Sequence, residues 1–204
     1  MSARRFLFLL ASTRENGNTE VMARHAAAYL PVGVEQQWLR LIDHPLPDFT
    51  DVRHEGAGVY PEPEGHARTL MDATLAATDV VIASPLYWYS ISTPAKRYMD
   101  HWSGWMRVPG VGFKDRMRSK TFWGVTAVSH EDFSRAEPLI GTLRLSAEYF
   151  GARFGGVLLG YGNRPGDALD DAPGLERART FFAGEPAIAT TRLASPKRTQ
   201  VIHA

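Results

Sequence analysis

The amino-acid sequence predicts a doubly wound α/β fold: a parallel five-stranded sheet with helices on both faces. Three observations carry that expectation. Residues 6–10 read Phe-Leu-Phe-Leu-Leu, continuously apolar as a strand buried on both faces of a parallel sheet must be, whereas a half-exposed strand alternates. Strand-like runs then alternate with helical periodicities along the chain, and parallel neighbours need such crossovers between them. Finally, the 204 residues are 44% hydrophobic and 22% charged, the size and composition of one globular domain.

The elements follow in order. After the first strand, residues 18–30 place Val21, Met22, Ala26 and Tyr29 on one helical face and stop before Pro31. A strand is expected at 34–41, a helix at 64–77 and a strand at 79–84. The helix at 94–105 begins with Pro94, where a missing N–H costs nothing, and carries Tyr98, Trp102 and Trp105 as one stripe, read as core packing. A strand at 121–128, a helix at 134–150, a strand at 152–160 and a helix at 175–182 complete the pattern. Two long segments, the Pro/Gly-rich 42–63 and the basic 107–120, are either binding loops or surface insertions. The domain is expected to span 1–184, with 185–204 as an extended C-terminal tail lacking amphipathic period.

Composition excludes several classes of function. The formal net charge is +1 without a long block of either sign, which gives no case for nucleic-acid binding. The absence of cysteine excludes disulfides, thiolate metal sites, iron–sulfur clusters and a cysteine nucleophile. The seven histidines show no metal-ligand spacing, so no metal is expected. The apolar run at 6–10 is shorter than the roughly 7 to 15 residues of a signal peptide or the roughly 20 of a membrane span. A cytoplasmic protein with no membrane segment is expected.

In an open parallel sheet, ligands bind beyond the carboxyl ends of the strands. The loop after the first strand, residues 11–19, reads Ala-Ser-Thr-Arg-Glu-Asn-Gly-Asn-Thr. Hydroxyls at Ser12, Thr13 and Thr19, amides at Asn16 and Asn18, the Arg14 guanidinium and backbone N–H groups at the helix start suit a terminal phosphate. Neither the three-glycine dinucleotide fingerprint nor the Gly-Lys pair of an NTP loop is present. The bland alternative is that Ser12 or Asn18 simply caps the helix. The loop after the third strand contains Pro85-Leu86-Tyr87-Trp88-Tyr89. Three successive aromatic side chains diverge, so at least one faces a cleft or another chain.

With both loops in view, the sequence resembles the NAD(P)H-dependent FMN reductase family of flavodoxin-like flavoproteins. ASTRENGNT at 11–19 is similar to that family's Gly-Ser-x-Arg-x-x-Gly-Asn-Thr signature, and SPLYWYSISTPAKRYMD at 84–100 to its Pro-x-Tyr-Trp-x-Ser…Lys-x-x-x-Asp segment. Ala11 stands where the family usually has glycine, and the third flavin loop, 127–132, lacks the family's frequent glycine pair. The resemblance implies a flavodoxin-like three-layer sandwich with strand order 2-1-3-4-5, FMN as cofactor and NAD(P)H as co-substrate. It implies that Ser12, Thr13, Arg14, Asn18 and Thr19 hold the phosphate, and that Pro85, Leu86, Tyr87, Trp88 and Tyr89 border the isoalloxazine. Ser129 and His130 would join from the third loop.

Hydride would then pass from NAD(P)H to the flavin and on to a quinone-like or other small acceptor, in a ping-pong sequence needing no catalytic side chain. His130 either protonates a reduced quinone or is merely solvated. Arg107, Lys114, Arg116, Arg118 and Lys120 either meet the dinucleotide's phosphates or form a solvated surface. Lys96 and Asp100 read as a surface ion pair. A homodimer with the flavin near its interface is expected. Two other readings share the fold: a flavodoxin-type electron carrier and a flavin-free regulatory protein.

Overall fold

The computed structural model describes residues 4–184 together with 186, 188 and 189. Strands β1 Arg5–Leu10, β2 Glu35–Arg40, β3 Asp79–Ala83, β4 Thr121–Val128 and β5 Arg153–Tyr161 form one parallel sheet in the order β2-β1-β3-β4-β5. Side chains alternate across a strand, so the apolar run Phe6–Leu10 of β1 feeds two cores at once. Phe6, Phe8 and Leu10 face one side with Met22, Trp123 and Phe182; Leu7 and Leu9 face the other with Leu70, Tyr98 and Trp105. Helices α1 Asn18–Ala27 and α6 Ala172–Thr180 cover the first face. The second is covered by α2 Gly65–Ala76, α3 Thr93–Trp105, α4 Phe113–Arg118 and α5 Glu137–Phe150.

The Tyr98, Trp102 and Trp105 stripe is core, as expected: all three are buried, Tyr98 meets both indoles edge-on at 5.4 and 5.7 Å, and its hydroxyl pairs with Thr74 at 2.7 Å. The Lys96–Asp100 ion pair is present on the exposed side of α3. Among the described residues no helix is long and apolar enough to cross a membrane.

Several boundaries differ from expectation for identifiable reasons. The segment expected as one helix from 134 opens with a 3-10 turn, Phe133–Ala136, and α5 proper starts at Glu137 because Pro138 fits only a first turn. The last helix starts earlier than 175: Asp171 caps it by accepting the Gly174 N–H at 3.0 Å, with Pro173 in the first turn. The basic stretch 107–120 is not all loop. Phe113 and Met117 bury one side of α4, which leads straight into β4. Arg116, Arg118 and Lys120 therefore sit at the amino edge of the sheet, away from the ligand edge, and the dinucleotide reading of this stretch is set aside. Lys120 is not solvated either: it is 3% exposed, and its ammonium donates to the Leu75 and Ala77 carbonyls where α2 ends. Of the expected tail, the Ala189 N–H donates to the Ala152 carbonyl at 2.9 Å and Ile188 bridges Arg153. Residues 185, 187 and 190–204 lie outside the described residues.

Candidate functional site

The loops after β1, β3, β4 and β5 converge at the carboxyl edge on one cleft of about 510 Å³, within the range of cofactor sites. Of the expected site residues, Ser12, Arg14, Asn18, Thr19, Pro85, Leu86, Tyr87, Trp88, Tyr89, Ser129 and His130 line it. Thr13 does not: it is exposed beyond the rim.

The β1 loop is built to leave donors free. Ser12 is buried, and its hydroxyl accepts the Arg14 N–H at 3.0 Å. The α1 N-cap is Gly17, with no side-chain capping bond, and the first intrahelical bond runs from the Val21 N–H to the Gly17 carbonyl. The N–H groups of Asn18, Thr19 and Glu20 thus have no intrahelical acceptor, and the positive end of the helix dipole lies at the cleft. Capping by Ser12 or Asn18 is not what occupies this turn. Among the described residues the Arg14 guanidinium has no partner.

Asn18 lines the cleft and also clamps a second loop. Its Nδ2 donates to the Arg164 carbonyl at 2.8 Å, and its Oδ1 accepts the Gly166 and Ala168 N–H groups at 3.0 and 3.3 Å. The amide oxygen and one of the two Nδ2 hydrogens fasten the loop after β5, which leaves the second Nδ2 hydrogen and the backbone N–H as donors.

In the β3 loop, the Ser84 hydroxyl accepts the Ser92 N–H at 2.8 Å, and the Ser92 hydroxyl donates to the Ala11 carbonyl at 2.8 Å. The second loop is thereby tied to the first. Tyr87 and Ser90 exchange both backbone hydrogen bonds at 3.1 Å, closing a two-residue hairpin whose central residues, Trp88 and Tyr89, have φ of 50° and 64°. Positive φ at both central positions marks a type I′ turn, normally made by Asn and Gly. Two bulky aromatic residues there are strained. Trp88 is nonetheless 93% exposed and the two tyrosines half exposed.

The β4 loop contributes Ser129, His130 and Arg135. His130 Nδ1 accepts the Asp132 N–H at 3.0 Å, which leaves Nε2 as the free ring nitrogen. Asp132 accepts the Ser134 N–H and hydroxyl at 3.0 and 2.6 Å, bonds that hold its carboxyl below the usual aspartate range.

A fourth wall, the loop after β5, was not expected from the sequence. Gly162, Asn163 and Pro165 line the cleft, and Asp167 accepts the Asn163 and Arg164 N–H groups at 3.0 and 2.7 Å. A Cβ at Gly162 would stand 2.8 Å from Asn18 Nδ2, so only glycine admits the clamp. The available signal was the turn chemistry of Gly162, Pro165 and Gly166 directly after a strand's carboxyl end.

Unpartnered N–H and guanidinium donors at the β1 loop and a rigid aromatic turn at the β3 loop suit a ligand with an anionic end and a planar end, which is the chemistry of FMN. Among the described residues no cluster of three metal-ligating side chains exists. A family model described as NADPH-dependent FMN reductase matches residues 4–142. The chain belongs to the NADPH-dependent FMN reductase family. As a member it is an FMN-dependent NAD(P)H oxidoreductase, with FMN as cofactor. The reductase is 29% identical over 177 residues to YwqN of Bacillus subtilis (strain 168), which carries the name of an NAD(P)H-dependent FMN-containing oxidoreductase. That match spans 86% of this chain and 95% of YwqN.

Among solved structures, the Trp repressor binding protein from Bacillus subtilis is 25% identical with a TM-score of 0.68, covering 87% of this chain and 97% of its own. NAD(P)H:quinone oxidoreductase from Methanothermobacter marburgensis, 18% identical with a TM-score of 0.64 over 87% and 94% of the two chains, shares the fold. The matched family segment holds the first three loops of the reductase's cleft and ends before β5 and the fourth.

Proposed function

We propose that the reductase moves electron pairs from NAD(P)H to a quinone-like small acceptor, with the two substrates occupying the same cleft in turn. The observation that carries this reading is that the phosphate-type loop and the exposed aromatic turn open onto one and the same cleft. A second cleft, about 290 Å³, is lined by Arg4, Pro31 and Phe182 at the opposite edge of the sheet.

FMN bound in this cleft would supply the redox chemistry, the exchange of an electron pair between nicotinamide and acceptor. The Ser12 hydroxyl, the Arg14 guanidinium and the first N–H groups of α1 would hold its phosphate, where the helix dipole adds to their charge. Tyr87, Trp88 and Tyr89 would border its ring system, and the Ser92–Ala11 bond keeps the two loops at fixed separation. His130 would donate from its Nε2–H to the acceptor's oxygen, its ring held in that tautomer by the Asp132 N–H on Nδ1.

A homodimer belongs to this reading. Trp88 stands nearly fully exposed beside the cleft, and a second copy is the partner that would cover it.

The test is an anaerobic titration of the purified yellow protein with NADPH, followed by a quinone. Bleaching by the first and recovery by the second, with parallel double-reciprocal plots in steady state, is the expected result. Intersecting plots would refute alternating occupancy, and a flavin that NADPH does not bleach would favour the electron-carrier reading.

A further inference from the structure

Glu20 lies in the first turn of α1 with a side chain only 4% exposed, although electron-pair transfer calls for no carboxylate there. Both its oxygens are committed. Oε1 accepts from Arg24 Nε at 2.9 Å; Oε2 accepts from Arg40 Nη1 at 2.7 Å and from the Asn16 N–H at 3.1 Å. Arg40 then reaches on, its Nη2 donating to the Arg14 carbonyl at 2.9 Å. The network joins the end of β2, the first turn of α1 and both ends of the segment 14–16. Asn16 stands there with φ of 52°, in the left-handed region that Asn enters more readily than other L residues, and the Glu20 carboxylate holds its N–H.

We infer that Glu20 and Arg40 form a latch that sets the backbone of residues 14–17, and through it the array of N–H donors presented to the FMN phosphate. Glu20 is a positioning residue: it contacts the loop that would bind the ligand, not the ligand. The inference rests on the proposal that this loop holds the phosphate.

Charge and geometry make opposite demands here, which is what makes the inference testable. Burial alone would push the Glu20 carboxyl up, but the hydrogen bonds from Arg24, Arg40 and the Asn16 N–H outweigh it and hold it below the usual glutamate range. The group is therefore an anion in the same helical turn that would receive a phosphate. By Coulomb's law alone, removing it would tighten phosphate binding. If the carboxylate acts as a latch, removing it loosens the donor array and weakens binding.

The experiment titrates the full chain with FMN and with riboflavin, which lacks the phosphate, following flavin fluorescence in the wild type, Glu20→Gln and Glu20→Asp. The wild type prefers FMN. Glu20→Gln loses roughly tenfold to a hundredfold in FMN affinity, the scale of charge-assisted hydrogen bonds. Its riboflavin affinity stays within about twofold by the same scale. Glu20→Asp keeps the charge but is one methylene too short to span Arg24, Arg40 and Asn16 together, and shows a smaller loss in the same direction. It also supplies the answer if Glu20→Gln does not fold. Unchanged or tighter FMN binding in both variants would overturn the latch, as would equal losses for the two flavins. A wild type that binds FMN and riboflavin alike would instead overturn the placement of the phosphate.

Discussion

Replacing Trp88 by Asn separates stability from ligand binding in a single residue. Trp88 and Tyr89 both occupy the left-handed region, with φ of 50° and 64°, at a cost of about 1–2 kcal/mol for an ordinary L residue. Asn enters that region readily and favours the first central position of a type I′ turn. Because Trp88 is 93% exposed, its removal forfeits almost no buried area. The flavin-free Trp88→Asn chain is therefore expected to gain about 1 kcal/mol, or roughly 2–4 °C in Tm for a chain of this size. FMN binding moves the other way. An aromatic partner contributes about 0.5–1.5 kcal/mol beyond its burial, so the dissociation constant rises roughly two- to twelvefold. Thermal unfolding by circular dichroism, at protein concentrations low enough to exclude self-association, gives the first quantity, and a flavin fluorescence titration the second. A lower Tm in the flavin-free variant would refute stored strain at this turn. An unchanged FMN affinity would remove Trp88 from the ring's surroundings.

Three further outcomes are expected. Gly155→Ala places a Cβ about 2.0 Å from the buried Trp123 ring and should cost about 1–3 kcal/mol in a denaturant titration; an unchanged midpoint would mean that the ring does not lie over β5. Burial lowers the Lys120 ammonium from 10.5 to about 8, with Arg116 adding to the effect and Asp79 opposing it. Below that value folded and unfolded chains both carry the proton and the folded one bears the cost of burying it. Stability should therefore rise between pH 8 and 10.5, by up to about 3 kcal/mol, and the rise should vanish in Lys120→Met. Arg14→Ala should weaken FMN binding roughly tenfold to a hundredfold through loss of charge-assisted hydrogen bonds while leaving Tm of the flavin-free chain unchanged, since the guanidinium has no partner among the described residues; equal FMN affinity would remove Arg14 from the site.

What could be read in the sequence was what local chemistry determines. The unbroken apolar run of β1 announces a two-sided strand, and Pro94 marks a helix's first turn. Polar Glu35, Gln36 and Gln37 begin a strand that is legible only because it follows the β–α rhythm, and they are tolerated because β2 is a sheet edge. What could not be read depends on partners far away in sequence. Nothing near Asn18 reveals that its amide is taken by a loop 146 residues onward, or that Lys120, inside a basic run, closes the end of a helix 45 residues back. The short α4 left a single cue, Phe113 and Met117 four residues apart. The fourth wall of the cleft was missed for another reason. Its glycines and proline resemble any surface turn, and only the rule that ligands gather at strand carboxyl ends distinguishes it.

The same topology explains why two motifs some seventy residues apart can be read as one site. In the order β2-β1-β3-β4-β5 the chain leaves β1 toward one edge and returns to the other side of β1 as β3. The loops after β1 and β3 therefore part in opposite directions, and a crevice opens between them at the point where strand order reverses. Adjacent parallel strands stand about 4.8 Å apart, so the two loops cannot be far from one another at their roots. The Ala11 N–H bond to the Ala83 carbonyl and the Ser92 hydroxyl bond to the Ala11 carbonyl, at 2.9 and 2.8 Å, fasten them there. Ala11 stands at the root of the phosphate-type loop and Ser92 at the foot of the aromatic one. A change to either hydrogen bond would alter the distance between the anionic and planar ends of the ligand rather than the affinity of one end. Ser92→Ala is therefore expected to weaken FMN and riboflavin unequally, whereas a change confined to the ring's border, such as Trp88→Asn, should weaken both alike.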